Sequence, residues 1–193
     1  MGASLLLRDD VLQAVEWRGV LLGALAAEYR ADREVVMKAV KQEPCALQYA
    51  ADDLRGDRAV VLLAVSVFGL ALQWASDALR ADRAVLCVAM KQDPAALMFS
   101  PLRADRRLVL EAVEMNGYVL EYAADELRSD RSMVLAAVTN DGTALEYAAE
   151  ALRGDREVVL VAAMECGMNA LQYAAVELQA DPAVMRCAKR RRC

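Results

Sequence analysis

Apolar residues recur along the chain in short runs with the spacing of an amphipathic α-helix. The apolar positions after Asp32 are Val35, Val36, Met37, Ala39 and Val40. At 100° per residue they cover an arc of about 200°, whereas a helix packed on one side needs an apolar stripe of only about 100°. The wider arc indicates a helix that is covered on several sides, as in a stack of helical repeats.

A second amphipathic segment follows each first one after a turn with glycine or proline. After Pro44 its apolar positions are Ala46, Leu47, Tyr49, Ala50, Ala51 and Leu54. They span a similar arc, so the pattern predicts a second helix that ends at Arg55. At the turn, glycine is expected to end the first helix in the left-handed conformation, and proline is expected to begin the second helix. The turn residues are Gly19, Pro44, Gly69, Pro94, Gly117, Gly142 and Gly167.

An aspartate precedes each first segment at a nearly constant spacing. These residues are Asp32, Asp57, Asp82, Asp105, Asp130, Asp155 and Asp181. The spacings of 25, 25, 23, 25, 25 and 26 residues are typical of stacked supersecondary units. We therefore predict an all-α fold, an α-solenoid of about seven two-helix repeats of about 25 residues. Each aspartate is expected to be the N-cap of a first helix, where its carboxylate accepts hydrogen bonds from free backbone N–H groups.

The repeat pattern also sets the predicted domain boundaries. We predict a single α-helical repeat domain over residues 1–193. It comprises an N-terminal cap helix over 1–18, repeats over 19–180, and a C-terminal cap helix with a basic tail over 181–193.

Three repeats depart from the pattern. The first lacks the aspartate, and Ser4 is the expected replacement cap. The fourth is two residues short and carries Pro101, which is expected to end its second helix early. In the last, Arg186 and Lys189 occupy positions that are apolar elsewhere, as expected of the polar end of a solenoid.

Charge and cysteine content narrow the classes of protein. The net charge is −5, and because residues 189–192 contribute +4, residues 1–188 carry −9, which disfavours a nucleic-acid partner. Five cysteines form no Cys-x-x-Cys pair and the chain has no histidine, so we predict neither a metal site nor a cofactor. The odd, irregularly spaced cysteines suit an intracellular, reducing compartment.

One uncharged stretch has almost the length of a membrane span. Residues 59–76 contain no charge, but Gly69 lies in the middle, where the other repeats have their turn. We therefore predict two short helices here and no membrane span.

The repeat consensus resembles a known family. It reads Leu-Arg-x-Asp-Arg-x-Val-Val-Leu-x-Ala-Val, then Gly, then Ala-Leu-x-Tyr-Ala-x-x-x-Leu, and is clearest over residues 127–160. It resembles the short repeats known as domain of unknown function 4116, with similarity over roughly residues 19–185. The resemblance implies an all-helical array and supplies no catalytic residues, and an interaction role follows only by analogy with other solenoids.

An aromatic residue occupies one equivalent position in six repeats. These residues are Tyr49, Trp74, Phe99, Tyr122, Tyr147 and Tyr173. One ring per repeat could stack on RNA bases, or the rings could fill the space between consecutive second helices. Because Trp and Phe replace Tyr freely at the border of the apolar arc, we predict that this column is a structural ladder.

The candidate contact residues are polar positions beside the aromatic column and arginines of the Arg-x-Asp-Arg joints. Exposed positions that recur along one strip are where solenoids usually bind partners, although a solvated face and arginines paired with nearby acids are the alternatives. We predict that Gln48, Arg55 and Arg58 are free for contact. The predicted partner-binding residues are Gln48, Gln73, Glu121, Glu146, Gln172, Arg55, Arg58, Arg80 and Arg83.

The sequence offers little for catalysis. It lacks histidine, a phosphate-binding loop and a nucleophile elbow, and its carboxylates recur with the repeat, whereas an active site breaks such symmetry. We predict a noncatalytic helical-repeat protein, not an enzyme, that mediates protein–protein interaction or assembly. The alternatives are a nucleic-acid-binding repeat protein that uses the aromatic and arginine columns, and an accessory structural subunit of a large complex. The partner and the oligomeric state stay open.

Overall fold

The structure is a computed structural model that describes residues 8–190, and these residues contain helices and no strand. The chain divides between Ser100 and Pro101 into two compact units. Each unit is a stack of helical repeats, which confirms the predicted all-α solenoid class. Ser4, Arg191, Arg192 and Cys193 lie outside the described residues. The predicted single domain over residues 1–193 stays a prediction.

Each unit contains long α-helices, 3-10 helices (labelled η) and single-turn α-helices. The first unit consists of α1 (Arg8–Trp17), η1 (Gly19–Ala24), α2 (Ala27–Arg30), α3 (Arg33–Gln42), η2 (Pro44–Tyr49), α4 (Asp52–Arg55), α5 (Arg58–Val65), η3 (Gly69–Trp74), α6 (Asp77–Arg80), α7 (Arg83–Gln92) and η4 (Pro94–Phe99). The second unit consists of η5 (Pro101–Ala104), α8 (Arg106–Met115), η6 (Gly117–Tyr122), α9 (Asp125–Arg128), α10 (Arg131–Asn140), η7 (Gly142–Tyr147), α11 (Glu150–Arg153), α12 (Arg156–Cys166), α13 (Met168–Leu171), α14 (Val176–Gln179) and α15 (Pro182–Arg190).

The long helices form the core of each unit. Helix α3 packs between α1 and α5 and also contacts η1 and η2. Its residues Val35, Val36, Ala39 and Val40 are completely or almost completely buried. Because a long helix is covered by the long helices before and after it, its apolar arc is wider than a single packing face requires. Burying one Val or Leu side chain completely contributes about 1.5–3 kcal/mol, so each repeat stabilises its neighbours.

The second half of most repeats is not one helix, as the periodicity predicted, but a 3-10 helix followed by a single α-helical turn. In the last repeat the short α-helix α13 takes the place of the 3-10 helix. In the second repeat η2 ends at Tyr49, Ala50 and Ala51 have extended backbones, and α4 begins at Asp52. The break occurs where the chain bonds to the preceding repeat. The backbone N–H of Ala51 donates to the carbonyl of Arg30 at 2.8 Å, rather than to a carbonyl of its own segment.

The same inter-repeat hydrogen bond recurs in other repeats. The further donor and acceptor pairs are Ser76 with Arg55, Ala124 with Arg103, Ala149 with Arg128, and Ala175 with Arg153. Apolar periodicity alone does not reveal the break, because the buried positions on both sides of it fit a continuous helix. Ala46, Leu47, Ala50 and Leu54 are buried as predicted, whereas Tyr49 is half-buried.

The repeat with Pro101 makes this bond with a different donor. Proline has no backbone N–H, and the carbonyl of Arg80 accepts instead from the hydroxyl of the buried Ser100 at 2.7 Å. The single-turn α-helix of the other repeats is replaced by the 3-10 helix η5, with Leu102 outside helical backbone angles. The break after Phe99 falls at the same repeat position as the break after Tyr49 in the second repeat, so the early end expected from Pro101 does not distinguish this repeat.

The turn glycines are needed for space rather than for a left-handed backbone. Gly167 alone among residues 8–190 has a positive φ, at 59°. A Cβ on Gly19, Gly69, Gly117 or Gly142 would lie 2.3 Å from a carbonyl oxygen of the next long helix. The expectation that these four glycines end the first helix in the left-handed conformation is therefore wrong, because the constraint comes from the following repeat.

The uncharged segment at 59–76 contains all of α5 except Arg58, then a turn and η3, so the prediction of two short helices is confirmed. Across residues 8–190 the structure has no helix with both the length and the apolar character that a membrane crossing requires.

Candidate functional site

Each aspartate of the repeat joint binds the first turn of the long helix that follows it. The Asp57 carboxylate accepts hydrogen bonds from the backbone N–H groups of Ala59 at 2.8 Å and Val60 at 3.1 Å. The same geometry is found at all seven positions, Asp32, Asp57, Asp82, Asp105, Asp130, Asp155 and Asp181. These side chains thus satisfy backbone groups that a helix start leaves free.

The arginine that begins a long helix reaches the cap aspartate of the next repeat. Arg33 Nε lies 2.8 Å from Asp57 Oδ2, and Arg131 Nε lies 3.0 Å from Asp155 Oδ2. The further pairs are Arg8 with Asp32, Arg58 with Asp82, Arg106 with Asp130, and Arg156 with Asp181. Each bridged carboxylate therefore connects two repeats. Arg83 also has an interaction partner.

These contacts lower the pKa of six cap aspartates, Asp32, Asp57, Asp82, Asp130, Asp155 and Asp181. The hydrogen bond from Arg33 is the largest cause that lowers the pKa of Asp57 below its ordinary value, and Arg131 has the same effect on the pKa of Asp155. The pKa of Asp130 falls to about 2, chiefly because the hydroxyl of Ser132 donates to its carboxylate. The row of joints is therefore a structural network of charges.

In three repeats the other arginine of the joint pairs with an aspartate of its own single-turn helix. Arg55 pairs with Asp52, Arg80 with Asp77, and Arg128 with Asp125. The Nε atoms of Arg30, Arg55, Arg80, Arg128 and Arg153 are buried without a hydrogen-bond partner. The expectation that Arg55 and Arg58 are free is wrong, because both form ion pairs, and their role in partner binding stays a prediction.

The aromatic side chains are half-buried and contact neighbouring repeats or their own. A Cβ on Gly23 would lie 2.8 Å from the Tyr49 ring, so this ring packs over the preceding 3-10 helix. Tyr147 meets the exposed Tyr118 of the preceding repeat edge to face, with ring centroids 4.8 Å apart, whereas Trp74 lies near Phe68 of its own repeat. The role of Tyr49, Trp74, Phe99, Tyr122, Tyr147 and Tyr173 as a structural ladder stays a prediction.

The polar column beside the aromatic residues faces solvent. Gln48, Gln73, Glu146 and Gln172 are exposed, and Glu121 is half-buried. The three glutamines donate from Nε2 to the carbonyl three residues earlier, at 3.0–3.1 Å, and so satisfy a backbone acceptor of their own segment. Glutamate cannot donate such a bond, so Glu121 and Glu146 have no equivalent bond to a carbonyl of their own segment.

Two cavities open beside this column in adjacent repeats of the second unit. The first cavity, of about 280 Å³, is lined by Arg128, Glu146, Tyr147, Ala149 and Arg153, among others. The second cavity, of about 310 Å³, is lined by Glu150, Arg153, Tyr173, Ala175 and Glu177, among others. Burial is the main cause that raises the pKa of both tyrosines, and hydrogen bonds with Tyr118 and Glu146 add to it. Both tyrosine side chains therefore line the cavities as uncharged phenols.

The repeats match a described family over most of the chain. The family described as domain of unknown function (DUF4116) matches residues 8–55, 57–103, 105–153 and 132–179. The chain belongs to the DUF4116 family. The matches at 57–103 and 105–153 begin at cap aspartates, and each contains two long helices with the segments that follow them. One DUF4116 match therefore corresponds to two structural repeats.

No curated protein and no solved structure matches the chain. The repeats place the predicted polar and aromatic columns side by side on the 3-10 helices. Arg58 lies elsewhere, at the first position of the long helix α5. The sequence analysis did not predict the two cavities, nor that Glu150 and Glu177 line the second one. Their signal in the sequence is weak, because acids are common at the first turns of the single-turn helices.

Proposed function

We propose that this DUF4116 protein is a noncatalytic helical-repeat protein that binds another protein through the surface of its 3-10 helices and the single-turn helices that follow them. One observation carries the proposal: this surface, here called the 3-10 surface, repeats an exposed position beside a half-buried aromatic side chain. Helical-repeat proteins contact extended partners through such recurring positions. The carboxylates recur with the repeat rather than as one unique pair, which supports a noncatalytic role.

Charge supports a protein partner over a nucleic acid. The arginines at the starts of the long helices pair with cap aspartates, as Arg33 does with Asp57. An arginine already held by a carboxylate has less to gain from a phosphate, because the existing pair must first be broken. In the second unit the 3-10 surface also carries Glu121 and Glu146, which would repel a phosphate backbone.

Affinity purification of the tagged protein from its native source, with quantitative mass spectrometry, tests the proposal. Glu121→Lys reverses a charge on the 3-10 surface, and Glu114→Lys makes the same change at the exposed end of α8. We expect the same partner with the wild type and Glu114→Lys, and recovery reduced about tenfold with Glu121→Lys, because a reversed charge meets like charge on the partner.

Two outcomes would contradict the proposal. One is that no protein is retained above a tag-only control, and the other is that nuclease treatment releases everything bound. A partner that remains bound in fixed stoichiometry through extended washing would identify the protein as a permanent subunit of a complex. That outcome supports the proposed protein–protein binding in its stable form.

A further inference from the structure

The long helices α1 and α15 show which face of a long helix meets which neighbour. Helix α1 packs against α3, and α15 packs against α12. Positions in a long helix are counted here from the cap aspartate, which in α1 corresponds to the residue twelve before the turn at Gly19. In α3 the apolar residues at positions three, four, seven and eight are all buried.

Helices α1 and α15 depart from this burial pattern in opposite ways. In α1 positions four and eight are buried, whereas Asp10 at position three is exposed and Ala14 at position seven is half-buried. In α15 positions three and seven are buried, whereas Met185 at position four is half-buried and Lys189 at position eight is exposed. Positions three and seven therefore face the preceding repeat, and positions four and eight face the following one.

The uncovered faces of these two helices carry opposite charges. Of the long helices within residues 8–190, only α1 has a charged residue at position three, Asp10, and only α15 has one at position eight, Lys189. Position five is buried in α1 as Leu12 and exposed in α15 as Arg186, so it also faces the following repeat. With Asp9 at position two, the uncovered face of α1 is acidic, and that of α15 is basic.

The helix dipole accounts for only part of this charge pattern. It favours acids in a first turn and bases in a last turn, which suits Asp9, Asp10 and Lys189. Arg186 lies in the middle of α15, where the dipole favours neither sign. A face that meets only water can carry either sign, so opposite signs on the two faces indicate complementary surfaces.

An ion pair between α1 and α3 shows how two such faces align. Lys38 Nζ, at position six of α3, lies 3.5 Å from Glu16 Oε2, at position nine of α1. One helical turn earlier, the same geometry joins position five of a long helix to position two of the next. If α1 of a second copy followed α15, Arg186 would therefore reach Asp9, with Asp10 beside it.

We propose that α15 of one copy binds α1 of a second copy head to tail, in the way that successive long helices pack within the chain. Because the two faces differ, each copy can bind one copy through α1 and another through α15. Pro182 stands at position one of α15, where the other long helices have the arginine of the joint. The contact therefore depends on Arg186 and Lys189, and it is weak, reversible and sensitive to salt.

Sedimentation equilibrium of the purified full chain tests the inference between about 5 and about 500 µM protein at about 50 mM salt, where surface ion pairs are least screened. We expect the average mass to rise with concentration, and the dissociation constant to rise about tenfold at about 500 mM salt. Asp10→Lys and Arg186→Glu should each weaken association about tenfold, because like charges then meet. Asp53→Lys changes the net charge as Asp10→Lys does, on an exposed residue outside both helices, and should associate as the wild type does.

A mixture of the two variants identifies the arrangement. Asp10→Lys and Arg186→Glu at equal concentrations should associate as the wild type does, because an unaltered α15 then meets an unaltered α1 and the two reversed residues also meet. Variants that fail to fold could not recover in this way. The mass of one chain at every concentration would overturn the inference, as would equal weakening in Asp53→Lys or no recovery in the mixture. The contact involves long helices, so it does not depend on the proposed role of the 3-10 surface.

Discussion

At the scale of single residues, a position constrained by its own neighbours in sequence is easier to predict than one constrained by the next repeat. The aspartate caps follow from local chemistry, because a short acceptor side chain before an apolar run satisfies the free N–H groups of the first turn. The turn glycines are different. Gly142 is required by the carbonyl of Ala162, twenty residues later, and no local pattern shows that approach.

Two glycines of the second unit give a matched test of this constraint. In Gly142→Ala the new Cβ would lie 2.3 Å from the Ala162 oxygen, whereas in Gly154→Ala the nearest atom is 3.6 Å away. We expect Gly142→Ala to lower the free energy of unfolding by about 1–3 kcal/mol, because backbone must move. Gly154 has helical backbone angles, so its replacement should be neutral or stabilising by up to about 1 kcal/mol. Urea denaturation followed by circular dichroism measures both, and equal effects would contradict the steric explanation.

At the scale of elements, the sequence predicted the long helices well and the second half of each repeat only in part. The long helices have wide apolar arcs and strong caps, and both signals are local. The second segments have the same apolar spacing, yet they break after the aromatic residue because a backbone N–H bonds to the preceding repeat, as Ala51 does to Arg30. A hydrogen bond between distant residues leaves no periodic signal in the sequence.

This inter-repeat hydrogen bond can be tested by comparing two serines at the ends of 3-10 segments. Ser100 satisfies the Arg80 carbonyl with its hydroxyl, whereas Ser76 satisfies the Arg55 carbonyl with its backbone N–H. We expect Ser100→Ala to destabilise the protein by about 1–3 kcal/mol, because the part-buried carbonyl of Arg80 loses this donor. Ser76→Ala keeps the backbone donor and should stay within about 0.5 kcal/mol of the wild type. Denaturant midpoints at constant m-value are the measurement, and a large loss in Ser76→Ala would refute the assignment of donors.

At the scale of the whole molecule, the period of the aspartates was enough to predict the fold class and the number of repeats. The division between Ser100 and Pro101 was not predicted, because the shortened repeat indicated only an early helix end. The cavities were also missed. They depend on which side chains of successive repeats leave space between them, and periodicity does not contain that information.

The charged joints give the molecule a predictable response to acid. The pKa values of Asp32, Asp57, Asp82, Asp155 and Asp181 are lowered in the folded state, and that of Asp130 falls to about 2. At intermediate pH the unfolded chain therefore binds more protons than the folded one. Stability is fully present above about pH 5 and is lost as pH falls through the lowered values, toward pH 2 for Asp130.

Thermal melts followed by circular dichroism between pH 7 and pH 2 measure this loss. Asp130→Asn should melt lower at pH 7, because Ser132 and Arg106 lose an anionic acceptor, and its melting temperature should then fall less steeply with acid than that of the wild type. Asp53→Asn removes an exposed carboxylate that makes no ion pair within residues 8–190, so it should follow the wild-type curve. If Asp130→Asn and the wild type lost stability in parallel down to pH 2, the joint at Asp130 would not be a source of the acid response.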